Sequence, residues 1–268
     1  MTAMDLSAIY RYPIKSARGH SLESAVVDRF GVSGDRRWML IDADGQFYSQ
    51  RRLPLMALLD VASVEGGLRL GFAGDSIELE TPGAQYKEVS ATVWEHTMLA
   101  RSADAPVNNW LSEHLGEDLR LVFFPQDANR PVDPAYLPDP EQPRHVSFAD
   151  GFPLLIITQA SLDDLNTRLP EPVPMDRFRP NLVIHGAEPY AEDGWRKLQV
   201  GATTLAVVKP CSRCAIPSIN QQTAERDSSI NPVLADYRRR DGVVYFGMNA
   251  VVIAGDGFSV GDVVEVLE

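Results

Sequence analysis

Short runs of β-branched and aromatic residues, separated by turn residues, recur along most of the chain and predict a fold dominated by strands. Residues 6–59 contain four such runs, and the Asp-Ala-Asp-Gly segment at 42–45 is typical of a hairpin turn. Hydrophobic positions at 105–115 have helical spacing, and Gly116 is expected to end that helix. We therefore expect an antiparallel, barrel-like N-terminal unit followed by one short helix. Further strands of this unit are predicted at 67–72, 76–80 and 88–99.

A proline-rich segment at 125–146 interrupts this pattern and predicts a long loop, because six prolines and mixed charges oppose regular structure. Loops of this length usually carry function or separate domains, so the segment is a linker or a lid. We place the boundary just before or within it and predict domains at 1–120 and 121–268. The second domain is also expected to be mostly strands. A strand is predicted at 119–124, just before the loop. Beyond the loop we predict strands at 153–157 and 182–184, helices at 160–169 and 232–240, and hairpins at 200–208 and 242–266.

The composition argues against several classes of protein. The 268 residues carry a formal net charge of −12, with a pI near 4.9. This charge repels nucleic-acid phosphates and anionic membrane surfaces. The chain has no apolar stretch of the roughly 18 to 20 residues that a membrane-spanning helix needs, and its start does not resemble a signal peptide. We expect a cytoplasmic protein that binds neither nucleic acid nor membrane.

The chain has two cysteines, Cys211 and Cys214, which form a C-x-x-C motif after a predicted strand. Two are too few for a disulfide framework, a four-thiolate zinc site or an iron–sulfur cluster held by four thiolates, so we expect no iron–sulfur cluster of the chain's own. Four interpretations of the motif stay open. The first is a dithiol redox pair, which Pro217 disfavours because proline opposes the helix that usually follows such a motif. The second is a zinc site completed by histidines, but no two histidines of the chain have the spacing of a ligand pair. The third is two buried structural thiols, and the fourth is one thiolate that binds a soft or redox-active metal held mainly by another group.

Basic side chains occur beside turn residues at several places in this acidic chain. Cations that converge on one point suit a small phosphorylated anion. The sequence alone does not show that they converge, and each one by itself is typical of a solvated charge. The basic residues lie in Lys15-Ser16 with Arg18, Asp35-Arg36-Arg37-Trp38, Arg51-Arg52, Arg177-Phe178-Arg179-Pro180-Asn181, and Lys209 near Arg213.

Eight motifs follow one another along nearly the whole chain: YPIKS (12–16), GDRRW (34–38), DGFP (150–153), QASLDDLN (159–166), RFRPN (177–181), YAEDGW (190–195), KPCSRC (209–214) and VGDVV (260–264). In this order they resemble the MOSC-domain family. The similarity is greatest to the subgroup with an N-terminal β-barrel domain, which includes the mitochondrial amidoxime-reducing component and its bacterial relatives. The resemblance implies an α+β, β-dominated fold, in which an N-terminal β-barrel-like domain is followed by a MOSC β-barrel domain with a few short helices.

The resemblance also implies a molybdenum cofactor, a pterin dithiolene that carries a phosphate, bound between the two domains. By position in the motifs, Cys214 corresponds to the metal ligand and Cys211 to an accompanying cysteine. Asp150, Gly151 and Phe152 correspond to a loop that approaches the metal. The residues that correspond to those around the pterin and its phosphate are Lys15, Ser16, Arg36, Arg179, Asn181, Ser212 and Arg213.

The function that the resemblance implies is reduction of N-hydroxylated compounds such as amidoximes, hydroxylamines and N-hydroxylated bases. Electrons would come from a separate protein of the ferredoxin, flavin reductase or cytochrome type. Cys214 and Asp150 are the candidate catalytic residues, with Asp150 as a proton relay, although an aspartate that starts a loop is more often a cap. The alternative is a carrier of the molybdenum cofactor or of sulfur, without turnover of its own.

Three expectations concern features of the wider family that we do not find in the sequence. Some bacterial relatives append a C-terminal ferredoxin-type domain, and we expect none after Glu268. We also expect no mitochondrial targeting segment. No Schiff-base lysine signature is recognisable, so a pyridoxal-phosphate site is not expected.

Overall fold

The computed structural model describes residues 3–268 and confirms an α+β fold dominated by strands. Strands hold 40% of the residues against 18% in helices, so sheet pairing sets the architecture. The first half of the chain contains β1 (Met4–Arg11), β2 (His20–Leu22), β3 (Ser24–Asp28), β4 (Gly31–Val32), β5 (Trp38–Ile41), β6 (Asp60–Val64), β7 (Gly67–Phe72), β8 (Asp75–Glu80), β9 (Glu88–Val93), β10 (His96–Ser102), α1 (Ala105–Leu115) and β11 (Arg120–Phe123). The second half contains β12 (Leu154–Thr158), α2 (Gln159–Arg168), β13 (Leu182–His185), β14 (Lys197–Val200), β15 (Thr203–Ser212), α3 (Ile230–Tyr237), β16 (Arg239–Arg240), β17 (Val243–Ala254), β18 (Gly257–Ser259) and β19 (Val263–Val266).

Seven strands of the largest sheet close into a barrel, because β12 pairs with both β13 and β17. Around the barrel the order is β12-β13-β1-β19-β14-β15-β17. The strand β1 comes from the start of the chain and pairs antiparallel with β13 and β19 from the second half. The barrel therefore takes strands from both sides of residue 120, and the domain boundary at 120/121 stays a prediction.

The N-terminal part packs two smaller sheets against α1. One sheet has the order β5-β11-β10-β9 and the other β6-β7-β8. The helix buries Val107, Leu111 and Leu115, which are spaced four residues apart and so share one face. Gly116 ends it in the left-handed conformation at φ 73°, which glycine adopts without steric cost. The predicted helix at 105–115 is confirmed.

Three predicted elements differ from the structure. The hairpin predicted at 242–266 is wrong, because β17, β18 and β19 of this segment pair with other strands and not with one another. The prediction of a single strand at 88–99 is wrong, because β9 and β10 form a hairpin that turns at Trp94 and Glu95. Trp94 makes this turn at φ 55°, without the glycine that usually marks such a turn. The prediction of a helix to residue 240 is also wrong at its end, because Arg239 and Arg240 pair with β17.

The long loop at 125–146 packs on the barrel. Val132, Leu137 and Val146 are buried in one cluster with Ala206 of β15 and Val251 of β17. These contacts fix the loop against the wall of the barrel next to the segment 147–153. Among residues 3–268, no helix is long and apolar enough to cross a membrane.

Candidate functional site

A cleft of about 410 Å³ lies where the barrel meets the N-terminal sheets. Side chains from both parts of the chain line it. It brings together all the site residues that were predicted from the sequence, which are Lys15, Ser16, Arg36, Asp150, Gly151, Phe152, Arg179, Asn181, Ser212, Arg213 and Cys214. Their convergence places them in one site, and their individual roles stay predictions.

The charge of the cleft is opposite to that of the whole protein. Asp150 is the one carboxylate among its lining residues, against seven basic side chains, in a chain of net charge −12. Cations gathered in a cleft focus positive potential and raise the local concentration of anions. The cleft therefore favours an anionic ligand. The seven are Lys15, Arg36, Arg51, Arg177, Arg179, Lys209 and Arg213.

Lys15 and Asp150 form an ion pair at the cleft. The Lys15 Nζ donates to Asp150 Oδ1 at 2.5 Å and to the Phe148 carbonyl at 2.8 Å, and Trp94 Nε1 donates to the same Oδ1 at 3.1 Å. Desolvation raises the pKa of Asp150, but the Lys15 charge and the two hydrogen bonds outweigh it and hold that pKa well below its usual range. Burial lowers the pKa of Lys15, and Asp150 opposes this shift. At neutral pH Asp150 is thus a carboxylate that accepts hydrogen bonds.

Arg36 and Asn181 build one wall of the cleft and satisfy each other. The Arg36 guanidinium donates to Asp35 at 2.5 Å, to Asn181 Oδ1 at 3.1 Å and to the Arg179 carbonyl at 3.1 Å. Asn181 Oδ1 also accepts from the Leu155 amide, and its Nδ2 donates to a carbonyl of β1. Desolvation acts to lower the pKa of Arg36, but the Asp35 charge outweighs it and raises that pKa. These contacts fix Arg36 in place behind the cleft surface.

Arg179 is one of two basic residues of the cleft, with Arg177, that keep a buried donor without a partner among residues 3–268. Its side chain is buried, its Nη1 donates to Gln221 Oε1 at 3.3 Å, and its Nη2 has no hydrogen-bond partner among residues 3–268. Burial lowers the pKa of Arg179 to about 10. A buried donor left without an acceptor is costly, and such atoms mark places where a ligand or water belongs. The orphaned N–H of Arg179 therefore fits an anionic acceptor.

Four residues of the cleft hold the backbone in the left-handed region. Ser16 has φ 66°, Arg36 47°, Trp94 55° and Arg179 55°, and they are half of the eight non-glycine residues with positive φ among residues 3–268. This conformation costs a non-glycine residue about 1 to 2 kcal/mol, and such strain tends to be kept where function requires it. Its concentration here agrees with a binding site.

The C-x-x-C motif ends β15 and carries one exposed thiol. Cys214 is exposed, and its Sγ accepts a hydrogen bond from the Ile216 amide at 3.5 Å. Cys211 is half-buried, and burial raises the pKa of its thiol. The Arg213 guanidinium donates to the carbonyls of Phe246 and Phe178, so it anchors the loop that presents Cys214. Among residues 3–268, no group of three or more His, Cys, Asp or Glu side chains could hold a metal ion. A metal at Cys214 would therefore need another group to hold it.

Two contributors to the site were missed from the sequence. Arg130 is buried in the proline-rich loop and donates to the carbonyls of Ser147, Ala149 and Asp150 at 2.5 to 2.7 Å. Burial lowers the pKa of Arg130 to about 10. No local signal distinguishes Arg130 from Arg144, the other arginine of that loop. Trp94 was missed because the sequence around it was interpreted as one continuous strand at 88–99.

The sequence matches the models of two protein families and is similar to several known proteins. The model of the MOSC domain matches residues 143–265, and that of the MOSC N-terminal beta barrel domain matches residues 3–118. Mitochondrial amidoxime-reducing component 1 of Homo sapiens is 31% identical over 229 residues, which cover 81% of this chain and 67% of that protein. Mitochondrial amidoxime reducing component 2 of Homo sapiens is 30% identical, with 83% and 68% covered.

A second group of similar proteins comes from plants. The molybdenum cofactor sulfurase of Oryza sativa subsp. japonica is 31% identical over 264 residues, which cover 91% of this chain and 32% of that protein. The chain thus spans about a third of the length of the plant sulfurases that it matches.

Proposed function

This chain belongs to the MOSC-domain family and carries the N-terminal MOSC β-barrel domain, and we propose that it binds the molybdenum cofactor in the cationic cleft and reduces N-hydroxylated compounds there. The observation that carries this proposal is the exposed Cys214 thiol in a cleft with seven basic side chains. Small substrates such as amidoximes, hydroxylamines and N-hydroxylated bases would enter this cleft, and a separate redox protein would deliver the electrons.

The donors of the cleft suit the chemistry of this cofactor. The unpaired N–H of Arg179 and the surrounding positive charge suit its phosphate. Ser16 and Ser212, which also line the cleft, carry hydroxyl groups that suit polar atoms of a ligand. The Cys214 sulfur is a soft ligand for molybdenum, and it accepts a hydrogen bond from the Ile216 amide. When bound, the cofactor would supply two-electron reduction at the metal.

The work of the protein would be to hold the substrate and to supply protons. The Asp150 side chain is 68% exposed, whereas its partner Lys15 is 7% exposed, so Asp150 faces the solvent side of the pair. We propose that Asp150 relays protons from solvent toward the bound substrate, with Lys15 Nζ holding a proton 2.5 Å away. Because its pKa is low, Asp150 would hold a proton only transiently.

Elemental analysis tests the proposal. Wild-type protein, Cys214→Ala and the matched control Cys211→Ala are purified from a host that makes the cofactor, and their molybdenum content is measured. We expect near-stoichiometric metal in the wild type and in Cys211→Ala, and a clear loss in Cys214→Ala. We also expect the reduced wild-type protein to convert an amidoxime to the amidine. Folded wild-type protein without molybdenum would refute the proposal.

The exposed thiol also supports a second candidate, a carrier of cofactor or sulfur without turnover. An exposed thiolate can receive and pass on sulfur as a persulfide, and Cys214 is accessible for this. Bound molybdenum without reduction of any N-hydroxylated compound would favour the cofactor carrier. A persulfide on Cys214, detected by mass spectrometry of the intact protein, would favour the sulfur carrier.

A further inference from the structure

Trp94 is a large apolar side chain that lies exposed at the cleft. It is 48% exposed, although tryptophan is a residue that folded proteins usually bury. The β9–β10 turn presents it to the cleft in a left-handed backbone conformation. Its position is fixed on several sides, because its Nε1 donates to Asp150, the Arg51 guanidinium lies 4.6 Å from its ring, and the Phe47 ring lies edge-on at 5.1 Å.

A second aromatic group lines the same cleft. Phe152 packs against Tyr136 at 5.6 Å between ring centroids, and the Lys209 ammonium lies 4.2 Å from the Tyr136 ring. Tyr136 belongs to the proline-rich loop, so that loop helps to fix the second group. Two sets of aromatic rings, each with a cation beside it, thus lie on either side of a cleft that is otherwise lined mostly by polar side chains.

Asp150 has one carboxylate oxygen left for a ligand. Both the Lys15 and the Trp94 hydrogen bonds go to Oδ1, and Oδ2 accepts no hydrogen bond from residues 3–268. Because the indole Nε1 donates to Oδ1, the Asp150 carboxylate lies at the edge of the ring, where a flat molecule stacked on the exposed part of the indole could reach it. An N–O–H or N–H₂ group on that edge would then donate to Oδ2.

From this arrangement we infer that Trp94 is a stacking platform that makes the cleft selective for planar, conjugated N-hydroxylated substrates over aliphatic ones. The inference rests on the proposed function for the identity of the substrate. Stacking between aromatic rings adds to the binding free energy that comes from burying apolar area. The cations beside the two sets of rings also favour ligands with a π system. An aliphatic substrate would make the same polar contact with Asp150 but gain no stacking.

Binding of two neutral amidoximes to the oxidised protein, measured by isothermal titration calorimetry without any reductant, tests the inference. The probes are benzamidoxime and acetamidoxime, and the proteins are wild type, Trp94→Ala, Trp94→Phe and Trp110→Phe. The last is a matched control, because Trp110 lies on α1 and donates to Asp75 away from the cleft. We expect the wild type to prefer benzamidoxime by about three- to tenfold beyond what its larger apolar area explains.

The variants separate the ring from its N–H group. Trp94→Ala is expected to lose the extra preference, Trp94→Phe to keep most of it, and Trp110→Phe to leave it unchanged. A preference that survives in Trp94→Ala overturns the inference, as does an equal loss of affinity for both probes. Turnover of both amidoximes with no effect of Trp94→Ala on their ratio would leave the proposed function standing and refute the platform. A Trp94-dependent preference in a protein that reduces neither compound would refute the proposed function and support the platform.

Discussion

Ser16 shows how one residue combines a structural cost with a proposed binding role. Its φ of 66° strains any side chain with a Cβ, and its hydroxyl lines the cleft. Its carbonyl accepts a hydrogen bond from Gln50 Nε2 at 2.9 Å, so the strained backbone is held by a buried partner. The fold therefore keeps a residue here that glycine would replace with less strain.

The pair Ser16→Gly and Ser16→Ala separates the two effects. Both variants lack the hydroxyl, so we expect the same loss of bound molybdenum in each. Only glycine relieves the left-handed strain, so Ser16→Gly should exceed Ser16→Ala in free energy of unfolding by about 1 kcal/mol. Urea unfolding and elemental analysis measure the two quantities. Equal stability of the two variants would show that the backbone at Ser16 is not strained.

The convergence of the site could not be predicted at the level of single residues. Lys15 and Asp150 are 135 positions apart, and their contact depends on how β1 enters the barrel. The motifs identified the residue types that line the cleft. They did not show that Arg36 and Asn181 form a hydrogen bond with each other, whereas Arg179 keeps a donor without a partner. That difference depends on the packing around each side chain.

At the scale of elements, the proline-rich loop organises the segment that carries Asp150. The guanidinium of Arg130 reaches out of the loop and donates to three nearby backbone carbonyls, those of Ser147, Ala149 and Asp150. Ser147 and Ala149 are buried, so solvent does not readily replace Arg130 at their carbonyls if it is removed. The conformation of the loop at 147–151 thus depends on one side chain from a neighbouring segment.

Arg130→Ala is therefore expected to lower the free energy of unfolding by about 3 kcal/mol, because buried carbonyls lose their donor. It should also reduce turnover of an amidoxime, since Asp150 is no longer held in place. Arg144→Ala is the matched control in the same loop, because Arg144 donates to carbonyls of β17 away from the cleft. Urea unfolding and steady-state rates provide the measurements. The account of the loop fails if both variants lose the same stability and activity.

Elements with local signals were predictable, whereas those that depend on an unusual backbone were not. The C-terminal end of α1 follows from Gly116, and the start of α2 follows from Thr158, whose hydroxyl accepts from the Ser161 amide. The β9–β10 hairpin was missed because Trp94 turns the chain without glycine or asparagine. The MOSC β-barrel was expected from the family resemblance, but the place of β1 in it was not, because the pairing of β1 with β13 joins segments more than 170 residues apart.

At the scale of the whole molecule, the barrel makes the two halves of the chain interdependent. β1 lies between β13 and β19, and its Leu6 and Ile9 are fully buried in the core of the barrel. A fragment of residues 121–268 would lack this strand. It would leave two open strand edges and remove the apolar side chains that fill the interior. The predicted boundary at 120/121 would then divide the sequence motifs into two groups, but the two parts of the chain would not fold independently.

The fragment 121–268 is accordingly expected to show no cooperative thermal transition and to bind a hydrophobic dye, as a chain with unfixed packing does. A synthetic peptide of residues 1–34, which supplies β1 to β4, should restore the transition and reduce dye binding. The same peptide with Leu6→Asp and Ile9→Asp is the control, since it can pair along the edges but cannot fill the interior. Calorimetry of the three samples distinguishes the outcomes. A sharp transition in the fragment alone would mean that the barrel closes without β1, and that the two halves are independent domains joined at residue 120.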